Sequence, residues 1–154
     1  VLKKLAKLFR EHNVEYCIVG STSLFLHGIN VEPSDIDILT TKDSAFKIDK
    51  LLDDYKVLPC KFRESSIFRS YFGRYRVNEI NVEIMGELQY KKENKWSNPI
   101  TPHTIRTKWI NINGEKIKVA VLEETYNFCR EVGREETCKL IESYFKEKGI
   151  NVKF

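Results

Sequence analysis

The chain lacks most of what would staple it covalently, anchor it in a lipid bilayer or leave it unfolded. Its 154 residues include four cysteines, Cys17, Cys60, Cys129 and Cys138, with no Cys-x-x-Cys pair and no Cys/His spacing that suits zinc. Three of the four lie in apolar patterns, which excludes a disulfide scaffold and leads us to expect reduced thiols. Seven glycines and four prolines are too few for a low-complexity chain. No apolar run approaches the roughly 18 residues of a membrane span, and Val1 to Leu5 has the alternation of an amphipathic helix rather than a signal peptide. A soluble, cytoplasmic protein with no membrane partner is expected. Glutamine occurs only at position 89 while Lys and Glu are abundant, a bias found in heat-adapted proteins. A dominant charge is also missing. The net charge is +4, but the 31% of charged residues carry both signs throughout the chain, which does not by itself imply a nucleic-acid partner.

What is present is concentrated between Tyr16 and Thr40. Tyr16 to Val19 is a short β-prone run that ends at Gly20-Ser21, after which Leu24, Phe25 and Leu26 follow a helical pattern. Amide groups at the start of a helix attract anions, and a glycine lets a phosphate approach the backbone. After the turn Glu32-Pro33-Ser34 comes a second apolar run, Ile36 to Leu39, carrying Asp35 and Asp37. Residues two apart on a strand point to the same side, so both carboxylates should project from one end of a sheet. Two like charges side by side repel, and a divalent cation is the natural compensation. The bland alternative is a solvated strand end beside an ordinary turn.

Further along, Ile67 to Tyr75 and Glu79 to Met85 read as two strands joined by a tight turn. In the second, Ile80, Val82 and Ile84 share one face, which leaves Asn81, Glu83 and Met85 on the other. A carboxylate in an apolar strand is costly unless it is neutralised or liganded. Lys61, Arg63, Arg69, Arg74 and Arg76 interleave with Phe68, Tyr71, Phe72 and Tyr75, as in a single-strand nucleic-acid groove or, more simply, an ordinary strand with a wet face. Leu2, Leu5, Leu8 and Phe9 predict an N-terminal helix that stops at Asn13. Thr41 and Asp43 can cap a helix carrying Ile48, Leu51, Leu52 and Tyr55. Residues 87–108 are poor in apolar side chains and read as a long polar loop, a candidate lid or partner surface. Trp109 to Ile112, Asn113-Gly114 and Glu115 to Val121 make a hairpin, and two helices divided at Gly133 complete the chain. His27, among Leu and Phe, reads as a core or helix-end histidine.

Gly20-Ser21, a gap of thirteen residues, Asp35-Ile36-Asp37-Ile38 and a later strand carboxylate, Glu83, together resemble the nucleotidyltransferase superfamily. The longer gap and the run STSLFLHG are similar to its lincosamide and AbiEii-type branch. Two places depart from that branch: Ser21-Thr22-Ser23 stands where a Gly- or Ala-rich start is common, and Asn30 and Glu32 stand where a basic residue is. The segment CREVGREE resembles the family's Gly-Arg-x-x-Asp helix motif, with Arg134 facing either phosphate or a glutamate. The resemblance implies one α/β domain over residues 1–154, with a mixed sheet of about five strands and helices mainly on one face. Its core would occupy 1–86, the polar loop 87–108, and the hairpin and C-terminal helices 109–154. It implies an enzyme moving a nucleoside monophosphate from an NTP, expected to be ATP, to an acceptor hydroxyl. Asp35, Asp37 and Glu83 would hold two Mg²⁺ ions and carry catalysis, and Gly20, Ser21, Ser34 and Lys42 would hold phosphates. The acceptor (small molecule, protein hydroxyl or RNA end) stays open. Rival readings are an antitoxin-like protein that binds a partner without turnover, and a basic-aromatic nucleic-acid-binding module.

Overall fold

A computed structural model describes residues 1–149, so the last five residues of the expected C-terminal unit lie outside the described residues. Along the chain run α1 (Leu2–Glu11), β1 (Tyr16–Val19), α2 (Gly20–Leu26), β2 (Ile36–Thr40), α3 (Lys42–Leu51) and a 3₁₀ turn (Asp53–Tyr55). Then come β3 (Lys56–Glu64), β4 (Phe68–Val77), β5 (Ile80–Lys92), β6 (Lys95–Trp96), β7 (Thr107–Ile112), β8 (Glu115–Ala120), α4 (Leu122–Val132) and α5 (Glu135–Glu147). The sheet order is β3-β4-β5-β2-β1-β8-β7, with β6 added to the far end of β5. Two pairings, β2 with β5 and β1 with β8, are parallel and the rest antiparallel, so the sheet is mixed.

Alternation along the strands sorts side chains between two environments. Ile18, Ile36, Ile38, Val82, Ile84 and Val119 point to one face, where Leu5 and Phe9 of α1 and Ala45 and Ile48 of α3 cover them. Burial of this face is the main source of stability, at about 25 cal/mol per Å² of apolar surface. On the other face Cys17, Leu39, Leu88 and Ala120 form a smaller cluster with Phe68, Met85, Ile100, Ile105 and Phe128. Helices α2, α4 and α5 pack on one another beside this face through Leu24, Ile29, Leu122, Tyr126, Ile141 and Phe145. Gly133, in the left-handed conformation at φ +79°, divides α4 from α5, and Asn113-Gly114, with positive φ at both residues, turns the hairpin as its sequence predicts.

Among the described residues the sheet has eight strands where about five were expected. Strand β3 went unrecognised because Pro59 and two register shifts spoil its alternation, which leaves an irregular burial pattern. Residues 87–108 are not one polar loop. Strand β5 continues to Lys92 with Leu88 buried, and Leu88 and Ile100 exchange backbone hydrogen bonds, so the open stretch shrinks to the residues between β6 and β7. Gly86, just past the predicted strand Glu79 to Met85, is a point of close packing within β5. A Cβ there would come within 3.0 Å of the Thr41 carbonyl and 3.1 Å of Ala45 Cβ on α3. The sheet also continues past residue 86, because β8 lies in parallel beside β1.

A buried polar network ties α3 to β3 and β4. The Asp49 carboxylate accepts from the Tyr75 hydroxyl at 2.6 Å, the Cys60 N–H at 3.0 Å and Lys56 Nζ at 3.0 Å. Desolvation raises the Asp49 pKa, but these three donors outweigh it and hold the carboxyl below its ordinary range. All four cysteines are free and buried, and burial raises each thiol pKa. Among the described residues no helix is long and apolar enough to cross a membrane.

Candidate active site

Backbone register assembles the site. Val19 faces Asp37 across β1 and β2, Asp37 faces Glu83 across β2 and β5, and Glu83 faces Arg74 across β5 and β4. Because facing residues in adjacent strands share a side of the sheet, one row of side chains runs Asp37–Glu83–Arg74. Asp35, two residues before Asp37, lies close enough for its charge to act on it.

Gly20 and the residues after it close one side of this row. Gly20 has φ +71°, and a side chain there would collide with Asp37 Oδ2, so the β1–α2 turn can lie against the carboxylate only because the residue is glycine. Two hydrogen bonds stitch the start of α2 to the approach of β2. The Thr22 hydroxyl donates to the Asp35 carbonyl at 2.7 Å, and the Ser34 N–H donates to Ser21 Oγ at 3.3 Å. No side chain caps the first turn of α2 and no acidic residue lies in it.

The electrostatics of the row are uneven. Burial pushes the Asp37 carboxyl up to about 6, the Glu83 and Asp35 charges push in the same direction, and only Arg134 opposes them. Glu83 is already paired: Arg74 Nη2 and Nε donate to its Oε2 at 2.8 and 3.1 Å. Arg74 is 40% exposed and has a further contact with the Phe72 ring at 5.7 Å. Among the described residues no three acidic, histidine or cysteine groups stand close enough to enclose an ion. The donor chemistry nevertheless suits a hard cation, since three like charges share one end of the sheet and the central one is held back from ionising.

The structure therefore brings Gly20, Ser21, Ser34, Asp35, Asp37 and Glu83 together. It separates Lys42 from them. Lys42 follows the opposite end of β2, where its N–H donates to the Glu87 carboxylate at 3.1 Å and its ammonium lies 5.2 Å from the Tyr71 ring centre. His27 caps α2 and its ring Nε2 lies 2.7 Å from the Ala120 carbonyl; burial lowers its pKa, in keeping with a structural role. Two of the β4 cations are held locally, Arg69 by Gln89 and the Trp96 ring and Arg76 by Asn81, as in an ordinary strand.

Arg134 and Phe128 also belong to the site, a place that the sequence alone left open for Arg134 and did not suggest for Phe128. A cavity of about 680 Å³ opens from Gly20, Ser21, Ser34, Asp37 and Glu83 across the apolar face toward α4. Arg134 lines it, its guanidinium 5.7 Å from the ring centres of both Phe68 and Phe128. The signal for Arg134 was the Gly-Arg pair after α4, and its contact is with two aromatic rings rather than the alternative glutamate. Phe128 carried no signal, because an aromatic residue on an amphipathic helix reads as core.

A mixed sheet with a glycine turn against a row of carboxylates is the arrangement that the resemblance to nucleotidyltransferases implies, and comparison with known proteins supports the fold. The model of the aminoglycoside-2''-adenylyltransferase family matches residues 1–144, and the chain belongs to that family. A crystal structure of a Thermotoga maritima protein assigned as a nucleotidyltransferase superposes with a TM-score of 0.80 at 28% identity, covering 95% of this chain and 91% of that one. The crystal structure of ANT(2'')-Ia in complex with adenylyl-2''-tobramycin superposes with a TM-score of 0.52 at 13% identity, covering 96% of this chain and 88% of that one, and supports the fold alone. Comparison with curated proteins returns no match. The chain is a nucleotidyltransferase.

Proposed function

We propose that the chain transfers a nucleoside monophosphate from a Mg²⁺-bound NTP, with ATP the donor to test first, to an acceptor hydroxyl. The observation that carries this reading is the partial burial of Asp37 between Gly20 and two further carboxylates, which is costly unless a cation arrives. Asp35, Asp37 and Glu83 would hold Mg²⁺, which when bound would neutralise the triphosphate and make the acceptor oxygen a better nucleophile. Ser21 lines the same opening and, with the amides that follow Gly20, would bind outer phosphates, with Ser34 held beside it. Lys42 has no part in this arrangement.

The acceptor oxygen attacks the α-phosphorus, the bond from that phosphorus to its β-bridging oxygen breaks, and pyrophosphate leaves with the bonding electrons. The hydroxyl proton passes to a site carboxylate and then to water. Glu83 is the residue suited to take it once Arg74 releases it. The test is thermal stabilisation and slow pyrophosphate release with MgATP, repeated with a chelator. A ligand that binds only the folded state raises the melting temperature with concentration, and chelation should remove most of that rise. A shift that chelation leaves unchanged would remove the metal from this reading.

A further inference from the structure

The cavity continues well beyond the carboxylate row, and its far half has a different chemistry. Leu39, Met85, Leu88, Ile100 and Ile105 line it together with a ring group. Phe68 and Phe128 stack with ring centres 6.2 Å apart, and Tyr90 meets Phe128 edge-on at 5.9 Å. The carboxylates that line the cavity are Asp37, Glu83, Glu124 and Glu131, and three of them already have a cation from the chain. Arg74 holds Glu83 at 2.8 Å, Arg106 holds Glu124 at 3.1 Å and Lys92 holds Glu131 at 2.7 Å. Among the described residues the one lining cation, Arg134, lies against the Phe68 and Phe128 rings.

Given the transferase reading, on which this inference rests, we infer that the acceptor is a neutral hydroxyl compound bearing an apolar ring, seated against Phe128, and not a polycation. A polycationic acceptor binds through unpaired acids, and among the described lining residues the one acid without an ion pair is Asp37, which the reaction itself requires. Ion pairs as exposed as Lys92–Glu131 are weak enough to be displaced, so charge pairing alone would not exclude a polycation. The apolar chamber weighs further against it, because ammonium groups placed among Leu88, Ile100 and Ile105 would lose water and find no acceptor there. A ring stacked on Phe128 loses little, and a hydroxyl on a short arm from that ring points back along the cavity toward Asp37 and Glu83.

The experiment measures binding of 1-naphthylmethanol, a neutral ring-bearing alcohol, and of tobramycin, a polycation, to the full chain with and without MgATP, followed by mass analysis for adenylyl products. We expect naphthylmethanol to bind at least tenfold more tightly than tobramycin and to be the one adenylylated. Phe128→Ala should weaken the naphthyl compound about tenfold, and Ile100→Ala, in the same apolar cluster as the stacked rings, several-fold, while both retain MgATP affinity. Tighter binding or preferential adenylylation of tobramycin overturns the inference. So does a loss of MgATP affinity in Phe128→Ala equal to the loss for naphthylmethanol, since the chamber would then hold the nucleobase. Failure of MgATP to bind the wild-type chain counts against the transferase reading instead, and the order of the two compounds without nucleotide still decides the chamber's preference.

Discussion

Asp37 and Glu83 face each other in register across the parallel strands β2 and β5, so two carboxylates share one side of the sheet and a single electrostatic problem. The chain treats them differently: Arg74 neutralises Glu83, while Asp37 is partly buried with its carboxyl raised to about 6.

That asymmetry predicts a pH dependence. A carboxyl whose folded-state value is raised holds its proton more tightly when folded, so its contribution favours folding at low pH and disappears as pH rises through about 6. The metal-free protein should lose up to roughly 3 kcal/mol from this group between about pH 4 and pH 6, the free-energy equivalent of the shift. Asp37→Asn should flatten that part of the curve, as read from denaturant midpoints at successive pH values without Mg²⁺. A variant curve as steep as the wild type would show that Asp37 is not the group responsible.

Gly20 and Ser21 make a contrasting pair. Ser21→Ala removes one hydroxyl and should weaken MgATP binding by about 1 to 2 kcal/mol, the scale of a hydrogen bond to a charged group, with a normal melting temperature. Gly20→Ala should do more damage, because φ +71° and the Asp37 carboxylate both oppose a Cβ. Titration calorimetry on both variants checks this, and equal affinities across wild type and variants would place the triphosphate elsewhere.

The convergence of these carboxylates on one side of the sheet could be read from the sequence, for a physical reason. Asp35, Asp37 and Glu83 lie in short strands whose period of two fixes which side each carboxylate faces, and Gly20-Ser21 closes a strand that ends beside them. Position along the chain misled at Lys42: five residues beyond Asp37 lead past the opposite end of β2, where it meets Glu87 and Tyr71. Pattern alone left open whether Arg69 or Arg74 pairs with a carboxylate and gave no sign of Phe128, since cross-strand register and helix docking, which decide both, are long-range. Strand β3 was missed because Pro59 and its bulges erase the alternation that reveals a strand.

Away from the site, Asp49 predicts the opposite pH behaviour. Its carboxyl is held below the ordinary range, so the stability it contributes is present above about pH 4 and is lost as pH falls below that. Tyr75→Phe removes the 2.6 Å hydrogen bond from a fully buried ring and should cost about 1 to 2 kcal/mol near neutral pH. Nucleotide binding should be unaffected, because this network lies on the α3 side of the sheet. Urea unfolding beside MgATP calorimetry checks both halves, and a Tyr75→Phe variant that unfolds like the wild type would show the network to be energetically idle.

The last prediction sets the two facing carboxylates against each other. Neutralising Asp37 relieves burial and repulsion with no partner lost, so Asp37→Asn should raise metal-free stability at pH 7. Glu83→Gln also relieves Asp37, but it deprives Arg74 of the carboxylate that takes both its hydrogen bonds. Arg74 is 40% exposed and water can solvate it, so that loss should stay under about 1 kcal/mol and the two effects should nearly cancel. If both carboxylates serve nucleotidyl transfer, each variant should nevertheless lose pyrophosphate release and the Mg²⁺-dependent part of ATP stabilisation. Arg74→Gln separates the remaining roles: it frees Glu83 without removing a carboxylate, so Mg²⁺-dependent stabilisation by ATP should persist or grow. Melting of all three variants with and without Mg²⁺, alongside MgATP titration, gives the comparison. Should Glu83→Gln keep full Mg²⁺ dependence while Arg74→Gln loses it, Glu83 would be a structural partner of Arg74, and the transfer chemistry would rest on Asp35 and Asp37 alone.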